Sequence, residues 1–175
     1  MAKILYVVNF DGFFISHRLS MAIEAQKKGY DVVVICENTG KADKITELGF
    51  QYIALPFNRE KKVNILSEIK YILFLYKQYK KLKPDIIHQI SIKPVIYGSL
   101  VIKLLHEKTA VINAFSGMGY LFTDSRKRFS EIFLIPFFRL LFKQRRLKII
   151  LQNHDDFNFF LQKRIIKQKI KMEKI

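Results

Sequence analysis

Residues 83–98 read Lys-Pro-Asp-Ile-Ile-His-Gln-Ile-Ser-Ile-Lys-Pro-Val-Ile-Tyr-Gly, and this stretch decides the fold. Pro84 cannot continue a helix, and the isoleucine-rich run after it predicts a short buried strand of a parallel sheet. Pro94 then suits the first turn of a helix, where its missing N–H costs nothing. Four polar side chains crowd the point where the strand ends: His88, Gln89, Ser91 and Lys93. Open α/β sheets bind ligands in the crevice at this end of their strands, so we expect a binding site here.

The same alternation of strand and helix continues along the whole chain. The apolar patterns predict strands over 3–9, 31–36, 51–55, 86–90, 108–115 and 147–152, and helices over 14–28, 42–48, 65–81 and 95–106 and from 155 onward. Alternating elements of this kind indicate an α/β protein with a Rossmann-like open parallel sheet and helices on both faces. We expect one domain over residues 1–163 and a basic tail over 164–175.

Composition narrows the class of protein. Half of the 175 residues are hydrophobic, which excludes a disordered chain. Cys36 is the single cysteine, which excludes an internal disulfide and a cysteine-rich zinc cluster and favours an intracellular protein. The longest apolar stretch, residues 132–142, is far short of the ~20 residues that a membrane-spanning helix needs. The four histidines show no spacing typical of metal ligands, so we expect no protein-bound metal.

The positive charge is concentrated in the second part of the chain. Residues 1–60 carry seven Lys/Arg and seven Asp/Glu, whereas residues 61–175 carry twenty-four and eight, which accounts for the net charge of +16. This asymmetry indicates an anionic partner. Basic clusters flank an apolar, phenylalanine-rich block in the segment 126–146, which favours an anionic membrane surface over nucleic acid. The alternative is a core helix with arginines at its ends. The proposed membrane-facing residues are Arg126, Arg128, Phe133, Phe137, Phe138, Arg145 and Arg146.

A candidate ligand loop follows the first strand at residues 9–14. It lacks the G-x-G-x-x-G spacing of dinucleotide sites, and an ordinary turn at Gly12 is an equal interpretation. His17 lies just beyond it, where a solvated or packing role is the alternative to a functional one. His88 is the stronger candidate for a substrate contact because it lies near the end of a strand beside Ser91 and Lys93.

Several of these segments together resemble a known family. The matching stretches are residues 14–19, 83–88, 91–98, 113–123 and 149–156, in the expected order. They are similar to the amino-terminal domain of family-four glycosyltransferases. The resemblance implies one lobe of a two-lobed GT-B enzyme that transfers a sugar from a nucleotide sugar with retention, without a metal or other cofactor. Many relatives have a histidine after the fifth strand, where this chain has Asn113-Ala114-Phe115-Ser116.

The resemblance also implies where the site lies. The candidate catalytic residues are Asp11 and His88, and the candidate substrate-binding residues are Gly12, Phe13, His17, Ser91, Lys93, Asn113, Ser116, Gly117, Gly119 and Tyr120. The partners implied are a glycan or lipid-linked acceptor at the cytoplasmic face of the cell membrane and, because the donor-binding lobe is absent here, a separate donor-binding chain. We therefore expect this chain to be inactive alone. The alternatives are a non-catalytic module that binds membranes or polyanions and a truncated remnant.

Overall fold

The computed structural model describes residues 1–56, 64–105, 108–115, 135–144 and 146–166. Its strands are β1 (Lys3–Phe10), β2 (Asp31–Glu37), β3 (Gln51–Ala54), β4 (Ile86–Ile90), β5 (Ala110–Phe115) and β6 (Leu147–Leu151). Its helices are α1 (Asp11–His17), α2 (Leu19–Lys27), α3 (Asp43–Glu47), α4 (Ile65–Leu82), α5 (Ile92–Leu105), α6 (residues 135–141) and α7 (His154–Gln162).

The six strands form one sheet in the order β3-β2-β1-β4-β5-β6, and all five pairings are parallel. From β1 in the middle of the sheet, β2 and β3 follow in chain order toward one edge. The chain then returns through α4 and adds β4 to the free side of β1, with Ile4 opposite Ile86 and Val7 opposite Gln89. The predicted Rossmann-like parallel sheet is confirmed.

Helices cover both faces of the sheet because the central strands are apolar on both sides. On one face, Tyr6, Val8 and Val34 pack against Phe14, Ala22 and Ile45 of the first three helices. On the other face, the alternate strand residues pack against α4 and α5, with Leu75 and Tyr79 fully or almost fully buried. A third cluster around Phe115 and Phe160 covers the β5–β6 end of the sheet.

Two helices differ from the prediction by more than one residue at a boundary. Residues 14–28 do not form one helix, because α1 begins directly after β1 at Asp11 and is broken from α2 at Arg18 (φ −132°, ψ −10°). Helix α5 begins at Ile92 rather than Val95. Its start is fixed by Ser91, whose carbonyl accepts a hydrogen bond from the Val95 N–H at 3.1 Å.

Among the helices in the described part of the chain, none is both long enough and apolar enough to cross a bilayer. The described residues also include no group of three His, Cys, Asp or Glu side chains placed to hold a metal ion.

Candidate functional site

The carboxyl ends of β1 and β4 define a crevice in the middle of the sheet. β1 leads into α1 and β4 leads into α5. In the sheet, the strand that follows β1 in the chain, β2, lies on one side of this pair, and the strand that follows β4, β5, lies on the other side. Such a switch point leaves a gap between the two connections, and ligands of open α/β sheets bind there. The structure brings the predicted site residues Gly12 and Ser91 to this same edge.

Helix α1 presents an ordered polar and aromatic surface at the crevice. The rings of Phe13 and His17 are stacked, with centroids 4.3 Å apart and planes 10° apart. The Ser16 hydroxyl oxygen lies 2.6 Å from His17 Nδ1 and 2.8 Å from the Gly12 carbonyl oxygen. Because the hydroxyl donates its proton to that carbonyl, we assign the donor to Nδ1, which leaves Nε2 as a free acceptor. His17 is exposed, so Nε2 can contact a ligand.

Asp11 is buried, and its carboxylate is already engaged. Its oxygens accept hydrogen bonds from the backbone N–H groups of Gly12, Thr39 and Lys41 at 2.6–2.8 Å and from the Thr39 hydroxyl. Burial alone would raise the pKa of Asp11, but these hydrogen bonds outweigh it and the pKa lies below its usual value. The carboxylate therefore ties the end of β1 to the loop after β2. We correct its predicted catalytic role to a structural one.

Beneath α1 and α2 lies a buried polar group of three residues, Tyr6, Arg18 and His88, none more than 2% exposed. The Tyr6 and His88 rings are 5.4 Å apart, and Arg18 Nη1 donates to the His17 carbonyl at 2.8 Å. Within the described part of the chain, the Tyr6 hydroxyl, both His88 nitrogens and Arg18 Nε and Nη2 have no hydrogen-bond partner. Buried groups of this kind are normally satisfied by protein, water or a ligand. The free guanidinium N–H groups suit an oxyanion.

The electrostatics of this group make His88 a neutral imidazole. Burial, followed by the positive charge of Arg18, lowers the pKa of His88 to about 3. Burial also raises the pKa of Tyr6 to about 12, against the opposing effect of Arg18. Since only 1% of His88 is exposed, it lies below the crevice floor. This position corrects the expectation that His88 contacts substrate directly, and it leaves His88 able to act only through its neighbours in this conformation.

The start of α5 forms the other wall of the crevice. Ser91 adopts a left-handed backbone conformation (φ 78°), which is rare for serine and concentrates at functional sites. Lys93 Nζ forms an ion pair of 2.9 Å with Glu68 on α4, and the other Glu68 oxygen accepts from the Tyr97 hydroxyl. Lys93 was predicted to bind substrate, but much of its charge is compensated inside the chain. No sequence pattern predicts this pairing, because Glu68 lies 25 residues away.

Asn113 is buried on the α5 face of the sheet and does not reach the crevice. Its amide donates to Ser99 Oγ at 3.1 Å, Ser99 donates to Gln89, and Gln89 donates to the Tyr79 hydroxyl. This hydrogen-bonded network joins β4 and β5 to both covering helices. Its position corrects the expectation that Asn113 binds substrate.

The predicted membrane segment is only partly described. Phe138 is fully buried against Phe115 and Phe160, which corrects its predicted place on a membrane-facing surface. Phe137 is half-buried, and the exposed Arg146 donates to the Lys108 carbonyl at the opposite edge of the sheet from the crevice. The remaining predicted site residues lie outside the described residues: Ser116, Gly117, Gly119, Tyr120, Arg126, Arg128, Phe133 and Arg145.

Comparison with known proteins identifies the family of this chain. The sequence model of the family described as "Glycosyl transferase 4-like" matches residues 3–153. No curated protein matches the chain significantly.

Three solved structures show the same fold at low sequence identity. A glycosyltransferase from Rickettsia africae ESF-5 matches with a TM-score of 0.68 and 17% identity, over 99% of this chain and 42% of its own. The UDP-GlcNAc 2-epimerase from Methanocaldococcus jannaschii matches with a TM-score of 0.63 and 18% identity, over 97% of this chain and 45% of its own. MurG from Acinetobacter baumannii matches with a TM-score of 0.62 and 12% identity, over 99% of this chain and 46% of its own. The chain thus spans less than half the length of each.

Proposed function

The chain belongs to the glycosyl transferase 4-like family, and from this premise we propose that it is the acceptor-binding half of a retaining glycosyltransferase. The enzyme moves a sugar from a nucleotide-sugar donor to a glycan acceptor, either lipid-linked or part of a polysaccharide. The observation that carries the proposal is the crevice at the switch point, where α1 follows the carboxyl end of β1 and α5 follows the carboxyl end of the neighbouring β4. The proposal assigns no metal or organic cofactor to this chain.

The residues around the crevice have separate proposed roles. Phe13 and His17 offer an aromatic surface with a free ring nitrogen, the mixture of apolar and polar groups typical of small-molecule sites. They bind the acceptor. Ser91, half-buried at the start of α5, contacts the same ligand through its side chain. The guanidinium of Arg18, whose Nε and Nη2 are unpaired and buried below α1, contributes the positive charge that attracts an anionic group such as a phosphate.

The donor nucleotide is held mainly by a second lobe, which we place on further polypeptide. The chain covers 42–46% of the three similar structures, so it corresponds in size to one of two comparable parts. The epimerase among them indicates that the fold alone does not determine the reaction. The proposed transfer activity therefore depends on the family match and on the crevice.

A reconstitution experiment tests this proposal. The purified chain is incubated with radiolabelled UDP-, GDP- and dTDP-sugars and with membrane or polysaccharide acceptors, with and without the polypeptide encoded directly downstream. We expect transfer only when both polypeptides are present. Transfer by this chain alone would contradict its assignment as a half-enzyme, and no transfer by the combination with any donor would contradict the function.

Site variants then connect the activity to the crevice. In the reconstituted enzyme, Phe13→Ala and His17→Ala should raise KM for the acceptor while leaving KM for the donor unchanged, because the two side chains contact only the acceptor. His154→Ala removes an exposed histidine at the start of α7 and is the matched control. Equal kinetics for all three variants and the wild type would contradict the proposal that the acceptor binds at this surface.

A further inference from the structure

Helix α4 carries a row of apolar side chains that the fold leaves in solvent. Ile65, Leu66, Ile69 and Leu73 are 82%, 62%, 47% and 53% exposed. Their spacing of three and four residues places them side by side along the helix. We call these four residues the α4 outer face. Contiguous apolar surface of this kind usually marks an interaction site.

The core does not need the α4 outer face. The helix packs on the sheet through its other side, where Tyr71, Leu75 and Tyr79 are buried. Its start is fixed independently by a capping box, in which the Asn64 side chain accepts from the Ser67 N–H at 2.7 Å. The four exposed side chains therefore contribute little to folding, and their apolar character requires another explanation.

Cationic side chains continue the same surface. Lys70 and Lys77 lie three and four residues from members of the α4 outer face, and Lys80 and Lys81 extend the row toward the end of the helix. All four lysines are exposed, and Lys80 Nζ lies 6.0 Å from the centre of the Tyr76 ring. The one acidic residue of α4, Glu68, is turned away and bound to Lys93 and Tyr97. The exposed side of α4 is thus apolar and positive, and α4 itself contributes no acidic side chain to it.

This combination distinguishes a lipid surface from a protein partner. Lysine is depleted in protein–protein interfaces, where aromatic residues and arginine are enriched. Helices that lie in the interface of a membrane combine leucine and isoleucine on one side with lysines that reach anionic headgroups. We propose that α4 is the element through which this chain lies on an anionic bilayer.

The orientation of α4 relates this surface to the crevice. The helix runs from the carboxyl end of β3 to the amino end of β4, so its apolar first turns lie at the crevice edge of the domain. A chain resting on α4 holds the opening of the crevice near the bilayer. The binding itself does not depend on the proposed transfer reaction and is measurable without it.

Vesicle sedimentation of the full chain tests the proposal. The vesicles contain phosphatidylcholine alone or phosphatidylcholine with phosphatidylglycerol, and we expect sedimentation only with the anionic lipid. Leu66→Ser/Leu73→Ser should weaken binding at least about tenfold. The matched control, Leu48→Ser/Leu104→Ser, replaces residues that are 40% and 58% exposed elsewhere and should bind like the wild type.

A second pair of variants tests the contribution of charge. Lys77→Gln/Lys81→Gln should weaken binding by about fivefold for each lysine removed. The control, Lys28→Gln/Lys44→Gln, removes the same charge from exposed positions on α2–β2 and α3 and should have little effect. Circular dichroism of all variants confirms that they remain folded.

Three results would overturn the proposal. The wild type could fail to bind anionic vesicles. The α4 variants and their controls could lose binding equally, which would indicate that binding is not localised to α4. Sedimentation velocity could instead show a dimer that Leu66→Ser/Leu73→Ser dissociates, in which case the α4 outer face is an interface between copies of the chain.

Discussion

Protonation of His88 should set the acid stability of this domain. Burial and the charge of Arg18 lower its pKa from 6.5 to about 3. The unfolded chain therefore takes up a proton near pH 6.5, whereas the folded chain does so only near pH 3. The stabilising effect of the neutral imidazole is complete above pH 6.5 and declines as the pH falls from 6.5 toward 3. At pH 5, which is 1.5 units below 6.5, the loss from this group is about 2 kcal/mol.

Urea unfolding of the wild type and of His88→Gln between pH 7.5 and pH 5 measures this effect. The glutamine cannot titrate, so the difference in unfolding free energy between the two proteins should shrink by about 2 kcal/mol over this range. Arg18→Gln removes only the smaller cause of the shift, so the pH-dependent loss down to pH 5 should persist in this variant. His154→Gln, at an exposed position, is the control and should leave the pH dependence of the wild type unchanged. If the wild-type and His88→Gln curves stayed parallel, a buried neutral His88 would be refuted.

Three further predictions concern packing and hydrogen bonding. A Cβ at Gly98 would lie 2.3 Å from Gln89 Nε2, so Gly98→Ala should cost about 2–4 kcal/mol in denaturant unfolding, and less in a Gln89→Ala background. Asp11→Ala leaves three part-buried backbone N–H groups without their acceptor and should lower the unfolding free energy by about 1–3 kcal/mol, whereas an unchanged stability would favour the original catalytic interpretation. Phe138→Ala should cost about 3–5 kcal/mol, while Leu140→Ala, 53% exposed on the same helix, should change thermal unfolding little; equal effects would contradict the buried position of Phe138.

The sheet could be predicted from the sequence because its cause is local. A strand buried on both faces must be apolar throughout, and runs such as residues 31–36 and 86–90 show this directly. The strand–helix alternation then leaves few possible topologies, since parallel crossovers have one hand. The position of the crevice follows from the same reasoning, and Gly12 and Ser91 do lie at this same edge of the sheet.

The roles of individual side chains could not be predicted, because contacts between distant residues decide them. The Asp11 carboxylate is engaged by the loop at Thr39, and Lys93 is paired with Glu68. Neither contact has a sequence pattern. His88 alternates with its strand neighbours and so faces α1 and α2, where Arg18 interrupts the helix and covers it. Similarly, apolar residues in α6 and α4 look alike in sequence, yet the fold buries Phe138 and exposes Leu66.

The strand order has a consequence for how the chain emerges during synthesis. β1 receives β2 on one side soon after it is made, but its other side has no partner until residues 86–90 appear. During that interval an apolar strand presents open N–H and C=O groups, which can template aggregation. A nascent chain stalled before residue 86 would therefore require a chaperone to stay soluble, and one stalled after residue 90 would need far less protection.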